Sequence, residues 1–188
     1  MSTYPDWREP VRLLELSTRP ATSAQRALSD QFGLTVRGDE PAGVLGVMLE
    51  AHIMLIWDID VPPESASERQ RNFLRSLGAV TIADSSSLPK YLASAWIDHH
   101  LAIRTIESLR QLQLKTGDAV IRRTVWRKEV PGITPHETLQ LYHVSSIGAD
   151  GLVYFKGGNG KCGWPSSLRL AGPNEDPASY PQFLEFTV

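Results

Sequence analysis

The chain has 188 residues, of which 41% are apolar and 21% charged, with 19 Lys and Arg against 21 Asp and Glu. That composition excludes wholesale disorder, and the length allows one domain or two small ones. No run of 18 apolar residues offers a membrane span, and a lone cysteine, Cys162, excludes an internal disulfide or a CxxC-type zinc site.

Charge is unevenly spread. Residues 1–117 carry 12 bases and 14 acids, residues 118–170 seven bases and four acids, and residues 171–188 three acids alone. A block of net +3 thus stands between acidic or neutral flanks, a bias that favours phosphate contacts. The polar stretch Met1–Pro10 has no apolar core of the kind a secretory leader needs, so the expected location is cytoplasmic.

In chain order, the first signal is a self-similarity at a spacing of 45 residues. Thr22-Ser23-Ala24-Gln25-Arg26 returns as Ser67-Glu68-Arg69-Gln70-Arg71. Each reads as a capping box, with a hydroxyl for the N3 amide and a glutamine reaching back to the cap amide. Leu28 and Phe32 in one copy, Phe73 and Leu77 in the other, are four residues apart and share a helical face. Gly33 and Gly78 follow, where a left-handed residue would stop each helix.

A polar stretch then leads to Pro41 or Pro89 at the start of a second helix, where its missing N–H is harmless. Aligning the prolines sets Val44 over Leu92, Met48 over Trp96, Leu49 over Ile97, Ile53 over Leu101 and His52 over His100. This alignment needs three extra residues between glycine and proline in the second copy. The expected unit is a short capped helix, an extended loop and a longer helix.

These residues resemble SAP-like helix–extended-loop–helix modules. The likeness runs over residues 22–104, about 85 of 188, and rests on Thr22, Gln25, Leu28, Phe32 and Gly33, then Ser67, Gln70, Phe73, Leu77 and Gly78. Such modules often accompany nucleic-acid enzymes and contact DNA, so the resemblance implies a DNA partner; with the basic aromatic block of the second half, the expected partner is DNA or RNA.

From Lys90 to Leu114 the apolar residues step by three or four, through Leu92, Trp96, His99, Ile103, Ile106 and Leu109. His99 falls on that stripe and is expected to be a hydrogen-bonded core histidine. Asp98 and His100 stand about 200° apart around a helix and are poorly placed to grip one ion. No metal and no cofactor are therefore expected.

After Gly117 the helical period vanishes. Strands are expected over 119–130, 139–147, 152–156 and 162–170, with an edge strand over 180–188 and turns at Gly148–Gly151 and Gly157–Gly160. Gly157-Gly158-Asn159-Gly160-Lys161 resembles a phosphate loop, but Cys162-Gly163-Trp164-Pro165 follows where a helix is required, so a hairpin is the better reading.

The expected fold is α+β: a helical half built from two helix–loop–helix repeats over residues 1–116, then a small antiparallel β-barrel, SH3-like or OB-like, over 117–188. Aromatic and basic residues interleave on that barrel, as single-strand binders require. The candidate nucleic-acid contacts are Arg122, Arg123, Arg127, Lys156, Lys161 and Trp164, and no catalytic residue is assigned. The expectation is a non-catalytic nucleic-acid-binding or adaptor protein acting within a larger nucleic-acid-processing assembly. The alternative is a protein–protein interaction subunit without nucleic-acid contact. A small enzyme using Cys162, with His136 or His143 as base, or the Asp98-His99-His100 cluster, comes third.

Overall fold

The computed structural model describes residues 2–57, 59, 64–126, 136–157, 160–173 and 175. Among these residues six α-helices and an antiparallel sheet of six strands make an α+β fold. By compactness the chain forms two units, one of residues Leu14–Arg104 and one of residues 2–13 with the chain from Thr105 onward. Arg127 and the edge strand expected over 180–188 lie outside the described residues.

Within the helical unit the two copies are bonded alike, residue for residue. Thr22 caps α2 (Ser23–Gln31) and Ser67 caps α4 (Glu68–Ser76). In both, the hydroxyl accepts the N3 amide at 3.2 Å and the glutamine carbonyl accepts the cap amide at 3.0 Å. Both helices end at a glycine of positive φ, +64° at Gly33 and +86° at Gly78, the backbone form that glycine adopts without a Cβ clash.

The second helices are α3 (Ala42–Ile56) and α6 (Lys90–Leu112). The amides of Ala21 and Ala42 bond the carbonyls of Glu40 and Arg19, and those of Ala66 and Lys90 bond Leu88 and Glu64. Gln25 and Gln70 also reach the second helix of their own copy, their Nε2 donating to the Ala42 and Lys90 carbonyls at 2.9 and 3.3 Å. The arginine after each glutamine ties down the loop. Arg26 donates to the Gly38 carbonyl, and Arg71 to the carbonyls of Ala83 and Ser85 at 2.7 and 2.6 Å. Three features differ from the expected pattern: an additional helix α1 (Arg8–Thr18), a strand β1 (Thr3–Tyr4), and a helical turn α5 (Val80–Ala83) inside the second loop.

Each copy has its own small core. Ala21, Leu45 and Leu49 gather Leu28, Phe32, Leu34, Val36 and Met48 in the first. Ala66, Leu74, Ala79, Ala83, Leu88 and Ala93 gather Ile82, Leu92, Trp96 and Ile97 in the second.

In the sheet unit the strands are β2 (Ala119–Trp126), β3 (His136–Gly148), β4 (Val153–Phe155), β5 (Cys162–Gly163) and β6 (Leu168–Leu170), in the order β5-β4-β3-β2-β6, with β1 also paired to β3. Thr3 faces Gly148 and Tyr4 faces Ile147. The chain beyond β1 is held by amides of Trp7 and Thr116 bonded to the carbonyls of Leu114 and Pro5. Val120 and Ile121 are both buried although they point to opposite faces, which is why β2 opens on a continuous apolar run.

Two expectations are corrected here. The sheet is open among the described residues, because β5 and β6 pair only inward, with β4 and β2, and not with each other. The single strand expected over 162–170 is divided into β5, a 3-10 turn (Pro165–Ser167) and β6. Pro165 causes that break, since it has no N–H for a ladder and holds its predecessor Trp164 extended at φ −71°, ψ 139°.

Candidate nucleic-acid interface

Register fixes which candidate side chains share a face. Directly opposed residues of an antiparallel pair lie on one side and neighbours along a strand on opposite sides. Arg122 therefore sides with Val120 and Thr124, and with Gln140 and Leu168 across its two ladders. Arg123 sides with Ile121 and Leu139 on the other face. The two adjacent arginines are thus not part of one patch. Arg123 is exposed and lines a cleft with Ile121, Leu139, Leu168 and Arg169, the last bound to the Glu175 carboxylate through contacts of 2.5 and 2.8 Å.

Arg122 is half-buried, and its aliphatic stem runs beside Gly163. A Cβ built on Gly163 would meet Phe155 Cζ at 3.2 Å, with Arg122 Cδ and Leu168 Cδ2 each at 3.5 Å. Next to this point Tyr142 stacks on Phe155, ring centroids 4.4 Å apart and 10° from parallel, and its hydroxyl donates to Gln140 Oε1 at 2.6 Å. Phe155 and Tyr142 are therefore packing groups, unavailable to stack a base.

The β4–β5 hairpin holds the other candidates. Tyr154 pairs with Cys162 and Val153 with Gly163, so Tyr154, Cys162 and Trp164 project from the face opposite buried Val153 and Phe155. Trp164 is 48% exposed. Lys156 and Lys161 are exposed at the two ends of the turn, whose Gly157 and Gly160 have φ of +108° and +67°. Both lysine positions are anchored by backbone: Lys156 donates its amide to His143 at 2.8 Å, and the Lys161 carbonyl accepts the Phe155 amide at 3.0 Å. The structure thus gathers Lys156, Lys161 and Trp164 on one hairpin, with the Arg122 stem beside its base. A strand follows the glycine turn, as the hairpin reading expects.

The histidine cluster has a different character. Burial holds His99 below the ordinary imidazole pKa, helped by the neighbouring His100, and burial does the same to His100. Burial pushes Asp98 up. Trp96 lies 5.8 Å from His99 and 6.0 Å from His100 between ring centroids. His99 does not match the hydrogen-bonded core histidine expected from the stripe: its Nδ1 is buried without a partner, as is His100 Nε2. The helical period locates a residue on a face but says nothing of whether an acceptor waits there. Among the described residues no group of three His, Cys, Asp or Glu could hold a metal ion. Cys162 is half-buried on β5, and His143 is exposed on β3.

One feature escaped the sequence reading altogether. At the end of α3, Ile53, Leu55, Ile56 and Trp57 are exposed, Trp57 to 73%, and Ile59 just beyond is exposed too. Hydropathy marks such residues as core, and only the coordinates show them uncovered. No helix among the described residues is long and apolar enough to cross a membrane. No protein-family model matches the chain, and no curated protein and no solved structure matches it either.

Proposed function

We propose that this is a non-catalytic nucleic-acid-binding adaptor, acting in the cytoplasm within a larger nucleic-acid-processing assembly, with its contact surface on the β4–β5 hairpin. The observation that carries this reading is the exposed Trp164 on the same hairpin as Lys156 and Lys161. A flat aromatic face stacks any base and two ammonium groups neutralise adjacent phosphates, so recognition is tolerant of sequence and sensitive to salt. Arg122 stands with Tyr142 and Phe155 on the face away from Trp164, and Arg123 stands on the face from which Trp164 projects. Arg127 belongs to the same basic block by sequence. The sheet is read as SH3-like rather than OB-like, on the support of its strand order and the 3-10 turn between β5 and β6. The two helical copies are read as SAP-like modules, supported by their matched caps and glycine stops.

The test is an anisotropy titration with single- and double-stranded DNA and RNA at two salt concentrations. The parent should bind single strands weakly, with affinity falling as salt rises. Replacing Lys156 and Lys161 together by glutamate should flatten the slope of log K against log salt by roughly 1.4, the share of two phosphate contacts on a single strand. Trp164→Ala should cost about 1–3 kcal/mol of stacking and leave the slope alone. A double variant that binds as the parent does places the contact elsewhere. A parent that binds no nucleic acid selects the protein-interaction subunit instead.

A further inference from the structure

The last turn of α3 contradicts its own composition. A helix apolar on every side belongs in an interior. Yet Ile53, Leu55, Ile56 and Trp57 are 36, 62, 58 and 73% exposed, and Ile59 is 50% exposed. Ile53, Ile56 and Trp57 stand at positions i, i+3 and i+4, within about 100° of the helix circumference, and so form one ridge. Contiguous apolar surface of this kind marks an interaction site.

The second copy carries no such ridge. At the 48-residue offset set by the two prolines, Ile53, Leu55 and Trp57 correspond to Leu101, Ile103 and Thr105 of α6. There the helix continues, Leu101 and Ile103 are half-buried and Thr105 is buried. Ile56, however, corresponds to Arg104, which is exposed and charged, so three of these positions are the more covered in α6 and the fourth is polar.

Charge narrows the occupant. Between Arg37 and Arg69 the sequence has no Lys or Arg, and the acids Glu50, Asp58 and Asp60 flank the ridge in sequence. Glu50 is exposed one turn before Ile53 on α3. An acidic border repels a phosphate backbone and an anionic bilayer. A symmetric pairing of two α3 ends would set those acids against one another. We infer that the end of α3 docks a protein partner through an amphipathic helix whose apolar stripe is bordered by Lys and Arg, its stripe packing on the ridge of Ile53, Ile56 and Trp57. The inference is independent of the hairpin site, which lies in the other unit and reads nucleic acid.

The test uses the full chain and two synthetic helical peptides with the same leucine stripe, one bordered by lysine and one by glutamate. Binding is followed by tryptophan emission, with Trp57→Phe identifying the Trp57 signal. The lysine-bordered peptide should bind saturably at one per chain, about tenfold tighter than the glutamate-bordered one. Ile56→Ser should weaken it about tenfold while leaving the melting temperature unchanged, since this side chain is exposed in the free protein. The inference is overturned if both peptides bind alike, or if neither saturates. Shielding of Trp57 from acrylamide in the free chain would overturn it too, because the chain would then cover its own ridge. Concentration-dependent dimerisation abolished by Ile56→Ser would assign the ridge to a second copy, and binding to vesicles of neutral lipid would assign it to a bilayer.

Discussion

The two halves of the helical unit share a skeleton and differ in their filling. Caps, glycine stops, arginine ties and the bonds between loop and second helix recur at the same positions. The interiors diverge: Ser29 in the first copy stands where Leu74 stands in the second, and Glu40 where Leu88 stands. All four are buried, to 5% exposure or less. The polar pair is tolerated because it is satisfied. Ser29 Oγ donates to the Arg26 carbonyl at 2.7 Å, and the Glu40 carboxylate accepts the amides of Arg37 and Gly38. Buried polar groups cost little when bonded and a great deal when not. The lesson is that directional bonds to the backbone define this unit, while the volume inside can be filled by leucine or by a bonded polar group.

The sharpest way to break the comparison is to truncate the position that differs most. Leu74→Ala removes a side chain of 0% exposure from the middle of a packed cluster and leaves a cavity there. The expected loss is about 2–5 kcal/mol in urea unfolding. Ser29→Ala deletes one short hydrogen bond and should cost about 1 kcal/mol. Equal losses would mean that the two copies are filled on the same principle after all.

Gly33→Val and Gly78→Val test the shared part instead. A Cβ added at φ +64° or +86° meets nothing within 4 Å, so the expected cost is backbone strain, about 1–2 kcal/mol at each site. The two losses should match within error, whatever the surrounding core. A mismatch larger than the strain itself would show that one stop is supported by packing that the other lacks. Thr22→Ala and Ser67→Ala should likewise match, at about 1 kcal/mol each by the same unfolding measurement.

That matched set was legible in the sequence because it is local. A cap, its N3 partner and a glycine stop act within a dozen residues, and their chemistry is written in side-chain type. The division of 162–170 was equally legible and was missed, since Pro165 could not have carried a ladder bond. Helix α1 hid behind Pro10, a residue that interrupts a helix elsewhere but is harmless in the first turn. Strand β1 is two residues long, too short for any period to show. For the candidate interface, the summed charge of 118–170 concealed that Arg122 and Arg123 face opposite ways, although alternation along a strand already requires it. The bare ridge of α3 lay beyond sequence reasoning, because hydropathy reports what a side chain prefers and not whether a neighbour arrives.

The smallest effect belongs to the histidines of the second copy, and it sharpens the comparison through pH. Burial depresses His99 and His100, so the folded chain binds their protons later than the unfolded chain does. Above the ordinary histidine value of about 6.5 both states are neutral at these sites and no stability depends on them. As the pH falls through that value the unfolded state protonates first, and the folded state loses stability until the depressed native pKa values are passed. Asp98 acts in the opposite sense: its raised pKa lets the folded state take up a proton early, which restores stability at more acid pH. The melting temperature should therefore fall between about pH 7 and pH 5.5. Replacing His99 and His100 by leucine should remove that fall, since neither buried nitrogen has a partner to lose. In Asp98→Asn the fall should remain and only the recovery at lower pH should vanish. A fall that survives the loss of both histidines would place the titrating groups outside this copy.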